Sequence, residues 1–217
     1  MADNLSQRNP IIRDGIFISY RREGGSTFAG ILYFALCKLF ASERVFKDAN
    51  TLTPGSEFTK EIDTALDRAL VCLVLIDKHW VQLKNEKGNT RITLDNDLVR
   101  YEIRTALQNN VMVIPVLFEG GLMPRENELP DDIRPLCGKQ AIAIHPESVM
   151  QDIAALIEYI QSKMTFLFDE QSVIGTYERL IKAPVATIKD SLTKTVDGYK
   201  RDFNYLKGFV RKYRKKK

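Results

Sequence analysis

The residues of this sequence best suited to chemistry are one acidic side chain and a pair of arginines that lie far apart in the chain. Glu102 lies in residues 97–103, where a predicted helix follows a buried strand. Arg21 and Arg22 directly follow the first predicted strand, residues 15–20. At a shared sheet edge, a lone carboxylate would face two fixed cations across a crevice. That arrangement suits the binding or cleavage of a charged nucleotide.

Several well-known catalytic motifs are missing from the sequence. No G-x-G-x-x-G follows the first strand and no G-x-x-x-x-G-K-[ST] occurs, which removes the main support for a redox dinucleotide cofactor or for P-loop chemistry. The two histidines, His79 and His145, belong to no H-E-x-x-H or clustered Cys/His pattern, so no metal site is expected. A G-x-S-x-G nucleophile motif is also missing. The remaining option is a mechanism that depends on a carboxylate.

Short apolar runs alternate with segments of helical periodicity between residues 15 and 163. This alternation predicts an α/β fold, a flavodoxin-like three-layer sandwich with a five-stranded parallel sheet. The loops that follow the strands of such a sheet share one edge, where ligands are expected to bind. The predicted strands are residues 15–20, 44–47, 70–76, 111–117 and 140–144.

The chain is predicted to have three parts: a disordered N-terminal segment at residues 1–13, an α/β domain at 14–163, and a C-terminal helical extension at 164–217. The extension is basic, because 13 Lys+Arg against 6 Asp+Glu give residues 165–217 a charge of +7. Between Val185 and Tyr213, apolar residues recur every three or four positions. This stripe must pack either on the domain or on a second copy of the chain, and we favour self-association because the helix is long.

The sequence also bears on location and partners. It begins without a signal pattern, and its longest apolar run, residues 69–76, is far shorter than the ~20 residues of a membrane span. The three cysteines form no C-x-x-C pair. We therefore expect a soluble, cytoplasmic protein with reduced thiols and no transmembrane segment. Nucleic acid is not an expected partner, because the basic residues are not interleaved with aromatic ones outside the C-terminus.

With these segments placed, the sequence resembles a TIR (Toll/interleukin-1 receptor/resistance) domain, particularly the bacterial kind. The resemblance covers about residues 14–162 and leaves the C-terminal extension outside it. The matching pieces occur in order at residues 16–22, 45–48 with Pro54 and Gly55, 98–107, 113–116 and 129–130.

The resemblance implies an activity and a set of site residues. Catalytic members of this family cleave the nicotinamide–ribose bond of NAD, so NAD is the expected substrate and no cofactor is expected. Their catalytic glutamate ends a W-x-x-x-E motif; here Glu102 matches the glutamate, while Leu98 replaces the tryptophan. The resemblance makes Glu102 the catalytic residue. The residues expected to bind substrate are Tyr20, Arg21, Arg22, Asp48 and Leu98.

A structural role is the alternative for each of these residues. Glu102 could be an ordinary helical glutamate paired with an arginine. The arginine pair could be solvated, or form an ion pair with Asp48, and Asp48 could serve only to order its loop. Tyr20 could be half-buried packing.

Two classes of function follow from the resemblance. The first is an NAD glycohydrolase or cyclase that acts as an effector or signal generator in bacterial, anti-phage immunity, assembled as a homo-oligomer through the TIR domain and the C-terminal helix. The second is a non-enzymatic TIR–TIR interaction or signalling scaffold that recruits other TIR-containing proteins through residues 48–55. Glu102 with the arginine pair favours the first, and Leu98 favours the second. A virulence protein that interferes with host receptor signalling is a third possibility.

Overall fold

A computed structural model describes residues 13–47 and 58–167 of the 217-residue chain. Five strands alternate with four helices in this part of the chain. Among these helices, none has the length and apolar character needed to cross a membrane. The elements are β1 (Gly15–Ser19), α1 (Arg22–Cys37), β2 (Val45–Lys47), α2 (Phe58–Arg68), β3 (Ala69–Ile76), α3 (Leu98–Gln108), β4 (Met112–Leu117), β5 (Ile142–Ala143) and α4 (Val149–Leu167).

The strands form one parallel sheet in the order β2-β1-β3-β4-β5. This order confirms the predicted flavodoxin-like α/β fold with a five-stranded parallel sheet. In the register of the sheet, Phe17 lies opposite Phe46 of β2 and Cys72 of β3, and Ser19 lies opposite Val74. The carboxyl ends of β1 and β3 are therefore side by side at one edge.

Helices cover both faces of the sheet, and each face has its own apolar core. One core joins the sheet to α1 and α4, and in it the rings of Phe28 and Phe118 stack with centroids 4.6 Å apart. The other joins the sheet to α2 and α3 through residues that include Phe17, Val99 and Ile103. All eight residues of β3 are buried, as expected for a strand covered on both faces.

The bounds of some elements differ from the predicted ones. The first strand ends at Ser19, one residue early, because α1 already begins at Arg22. The fifth strand is only two residues long, because it lies at the edge of the sheet and pairs with β4 alone. Helix α4 continues to Leu167, past the expected domain end at 163.

The connection between β3 and α3 shapes the edge of the sheet where the site is expected. The main-chain N–H of Trp80 donates a hydrogen bond to the carbonyl oxygen of Asp77, and this bond turns the chain directly after β3. Trp80 and Ile92 are both fully buried and anchor this connection to the α2–α3 core. This otherwise polar segment is therefore packed against the domain, and it leads directly to the start of α3.

Candidate active site

Glu102 lies in the second turn of α3, and its side chain is buried with 7% of the residue exposed. The hydroxyl Oγ of Ser19 donates a hydrogen bond to its Oε2 at 2.6 Å. A short bond of this kind is typical of a hydroxyl donating to a charged acceptor. The carboxylate is thus held from one flank at the carboxyl end of β1.

Ser19 reaches Glu102 because side chains alternate along a strand. Phe17 packs in the core formed with α2 and α3, so Ser19, two residues later, points to the same face. Ser19 is fully buried, and sequence reasoning did not single it out. The available signal was a polar residue at the end of an otherwise apolar strand, since a buried hydroxyl requires a partner.

Arg21 is buried and forms an ion pair with Asp97. Its Nη1 donates to Asp97 Oδ2 at 2.5 Å, and the two side chains are 2% and 1% exposed. Asp97 is also the N-cap of α3, where its Oδ1 accepts a hydrogen bond from the main-chain N–H of Arg100 at 2.9 Å. The charge of Arg21 is therefore balanced inside the protein.

A second ion pair continues from this one towards the surface. The Nε of Arg91 lies 3.5 Å from Asp97 Oδ2, and its Nη1 lies 2.6 Å from Glu23 Oε1 in the first turn of α1. Arg91 and Glu23 are partly exposed. The four groups carry two positive and two negative charges, so the network as a whole is neutral.

Trp80, the one tryptophan of the chain, lies against Arg21. The Cζ of Arg21 is 5.7 Å from the centroid of the indole ring, within range of a cation–π interaction. Within the described part of the chain, three buried donors have no hydrogen-bond partner: Arg21 Nε, Arg21 Nη2 and Trp80 Nε1. Because the ring is buried, it offers no exposed surface that could replace the tryptophan missing at Leu98.

The other predicted site residues are distributed unevenly around this edge. Leu98 lies one turn before Glu102 and is 38% exposed, and Arg22 is exposed as the first residue of α1. Tyr20 is half-buried on the opposite face of the sheet, against Gly25, which matches its structural alternative. Asp48 lies outside the described residues. The structure therefore places Arg21 and Leu98 at the start of α3, near Glu102, and Tyr20 on the other face of the sheet, while Arg22 is exposed at the start of α1.

Cys72 is a candidate nucleophile close to Glu102, and its environment keeps it inert. It lies on β3 opposite Phe17 and is fully buried. Burial raises the pKa of its thiol far above the usual range, and the charge of Glu102 raises this pKa further. The thiol therefore stays protonated, and only a thiolate would react.

Three buried carboxylates lie near this edge, those of Asp77, Asp97 and Glu102. Asp97 is paired with Arg21 and Asp77 accepts from the main-chain N–H of His79, so the candidate for chemistry at this edge is Glu102. Over residues 13–47 and 58–167, no group of three or more His, Cys, Asp and Glu side chains is placed to hold a metal ion. A buried carboxylate interacts strongly with a positive charge that develops beside it, because the surroundings screen it weakly.

Comparison with known proteins gives one family match. The family model of the TIR domain matches residues 16–156. Two solved structures are similar at low identity: the TIR domains of the activated Roq1 resistosome directly recognizing the pathogen effector XopQ, and a prokaryotic SEFIR domain. The first is 16% identical, covers 84% of this chain and 98% of that chain, and has a TM-score of 0.40. The second is 19% identical, covers 68% and 98%, and has a TM-score of 0.43. No curated protein matches the chain.

Proposed function

This chain belongs to the TIR domain family, and from that premise we propose that it cleaves the bond between nicotinamide and ribose in NAD. Glu102 is the catalytic carboxylate of this proposal. The observation that carries it is the burial of Glu102 at the carboxyl edge of the sheet, with Ser19 Oγ 2.6 Å from its Oε2. Ligands of open α/β sheets bind at that edge.

The proposed chemistry requires only one carboxylate. Nicotinamide leaves as a neutral molecule from a cationic ring, so the electron pair of the breaking bond stays on its nitrogen and no general acid is needed. The ribose then carries oxocarbenium-like positive charge, as in glycoside hydrolysis. Glu102 stabilises that charge and orients the ribose hydroxyls. Water completes hydrolysis to ADP-ribose, and attack by a nitrogen of the adenine ring gives a cyclic product.

Substrate binding is proposed to involve residues around Glu102. Arg22 is exposed at the N-terminus of α1, where its charge and the positive end of the helix dipole suit the pyrophosphate of NAD. Leu98, exposed one helical turn from Glu102, offers an apolar surface to a ring. Asp48 is proposed to approach the ligand from the second loop. NAD is the substrate, and no cofactor is proposed.

The proposed biological role is that of an effector or signal generator in bacterial immunity, acting in the cytoplasm. Assembly is proposed through the TIR domain and through the helix predicted from the apolar stripe between Val185 and Tyr213. The role rests on the family resemblance, and the assembly rests on the spacing of the stripe. Other TIR-containing proteins are further candidate partners.

A non-enzymatic scaffold that binds other TIR domains is the second candidate. Leu98 favours it, because the position that holds a tryptophan in catalytic members carries an exposed aliphatic side chain here. Without the flat aromatic surface, the nicotinamide end of NAD has less to stack on.

The deciding experiment is the release of nicotinamide from NAD by the purified full chain, followed by chromatography. Glu102→Gln should lower the rate by about 100-fold or more, as expected for losing a charge that stabilises the transition state. Glu158→Gln is the matched control, because Glu158 is exposed on α4. A rate per molecule that rises with protein concentration would support assembly. Equal rates in wild type and Glu102→Gln would remove Glu102 from the mechanism, and no release by wild type at any concentration would favour the scaffold.

A further inference from the structure

An ion pair and a hydrogen bond tie α3 to the end of β1, and we infer that the outer contact, the buried ion pair of Arg21 with Asp97, positions the catalytic carboxylate. The inner contact is the hydrogen bond from Ser19 to Glu102. Asp97 is on this account a positioning residue, which acts on the substrate through Glu102. The inference rests on the function proposed for Glu102.

The two contacts are matched in spacing. Arg21 follows Ser19 by two residues and keeps an extended backbone, with φ −83° and ψ 128°, so the two are about 6.6 Å apart along the chain. Glu102 follows Asp97 by five residues, which is about 7.5 Å along a helix. Because β1 runs towards the sheet edge and α3 runs away from it, the outer residues pair with each other and so do the inner ones.

The ion pair holds the first turn of α3 against the end of β1, while Val99 and Ile103 anchor the helix in the core. Without the ion pair, the first turn of α3 could move away from the end of β1, which would stretch the hydrogen bond from Ser19 to Glu102 and carry the carboxylate away from the ribose. A misplacement of about 1 Å can lower a rate by about 100-fold. The outer ion pair therefore has a catalytic consequence without touching the substrate.

The carboxylate of Asp97 is well suited to this task because each oxygen has its own partner. Oδ1 caps the helix through the N–H of Arg100, and Oδ2 binds Arg21. One side chain therefore joins the first turn of α3 to the residue just beyond β1. Both partners of the ion pair are almost fully buried, so water does not weaken their attraction.

The outer part of the network contributes little to positioning. The contact between Arg91 and Glu23 is partly exposed, and exposed ion pairs of this kind are weak. Arg91 is also farther from Asp97, at 3.5 Å, than Arg21 is, at 2.5 Å. The positioning effect is therefore assigned to Arg21 and Asp97.

The test is Asp97→Asn in the full chain, because asparagine still caps a helix but cannot pair with a guanidinium as an anion. We expect kcat for nicotinamide release to fall by about 10–100-fold, with KM changed by less than about threefold. Asp131→Asn, the same change at a side chain that is 88% exposed, should leave both constants unaltered. In crystal structures, the Ser19 Oγ to Glu102 Oε2 distance should lengthen beyond hydrogen-bond range in Asp97→Asn only.

A rescue separates positioning from substrate binding. The double variant Arg21→Gln with Asp97→Asn replaces the ion pair with two uncharged amides and leaves no unpaired buried charge, so it should recover part of the lost kcat and remain folded by circular dichroism. A raised KM with unchanged kcat would assign Arg21 to the ligand and overturn the inference. An unchanged Ser19–Glu102 distance in Asp97→Asn would overturn it as well. Displacement of Glu102 in a protein that never releases nicotinamide would uphold the positioning and reject the proposed function.

Discussion

Replacing Ser19 with alanine removes the hydroxyl that donates to the buried carboxylate of Glu102 at 2.6 Å. A hydrogen bond to a charged group contributes about 1.5–3 kcal/mol to the free energy of unfolding. Ser19 is fully buried, so water cannot readily take the place of the lost donor. For a chain of this size, each kcal/mol lowers the melting temperature by about 2–4 °C, which gives a fall of about 3–12 °C.

Chemical denaturation followed by the fluorescence of Trp80 measures this effect, because Trp80 is the single tryptophan and is buried in the native protein. The measurement is made as a double-mutant cycle on four proteins: wild type, Ser19→Ala, Glu102→Ala and the double variant. Ser19→Ala should cost about 1.5–3 kcal/mol in the wild type and less than about 0.5 kcal/mol when Glu102 is already alanine.

Ser26→Ala is the matched control for this cycle. Its hydroxyl donates to the main-chain oxygen of Arg22 on the exposed side of α1, so its removal should change the free energy of unfolding by less than about 0.5 kcal/mol. If the effects of Ser19→Ala and Glu102→Ala simply add, the hydroxyl does not hold the carboxylate, and the geometry assigned to the site is refuted.

Two further predictions concern titratable groups. Burial, and then the charge of Glu102, raises the pKa of the Cys72 thiol, so a thiol reagent should modify Cys72 only in the unfolded protein. Labelling is measured by mass spectrometry. If Cys72 of the native protein is labelled as fast as the half-buried Cys137, the prediction is contradicted. Burial alone would raise the pKa of Asp152, but hydrogen bonds from His145 and Ser148 outweigh it and hold the pKa of this carboxyl below its usual value. A pKa depressed by folding stabilises the protein above the unfolded pKa, and this contribution is lost as the pH falls through the folded pKa. Asp152→Asn should therefore destabilise the protein in urea denaturation at pH 7, and progressively less as the pH falls through the folded pKa; an equal cost across this range would refute the assignment.

The sheet could be predicted because its central strands are apolar runs bounded by polar residues. In β3, eight consecutive apolar residues signal a strand covered on both faces, and right-handed crossovers then restrict the strand order. The edge strands β2 and β5 are only three and two residues long, so few pairings determine their ends. Sequence periodicity locates such strands but does not set their bounds.

The burial of Glu102 was also predictable, because it lies beside the apolar stripe of Val99 and Ile103 on α3. Its partner was not predictable. Ser19 is 83 residues away in the sequence, and nothing in the local pattern shows which polar side chain will satisfy a buried carboxylate. Periodicity reports which face of an element is buried, but pairing across the core depends on tertiary packing.

The role of Arg21 could not be predicted from the sequence for the same reason. Sequence reasoning treated it as a cation facing a ligand, whereas the structure buries it against Trp80 and pairs it with Asp97, 76 residues away. A guanidinium can be buried where a carboxylate neutralises its charge, but the composition and spacing of the sequence do not show which carboxylate does so. The roles of Asp48 and of the C-terminal extension concern residues outside the described part and stay predictions.

The most direct measurement is a crystal structure of the Glu102→Gln variant with NAD bound, since the substitution slows turnover and preserves the shape of the side chain. Our account predicts that the nicotinamide-bearing ribose lies within about 2.6–3.2 Å of the side chain at position 102 through its hydroxyl groups. NAD bound elsewhere on the domain, or with that ribose turned away from the carboxyl edge of β1, would contradict the enzymatic account.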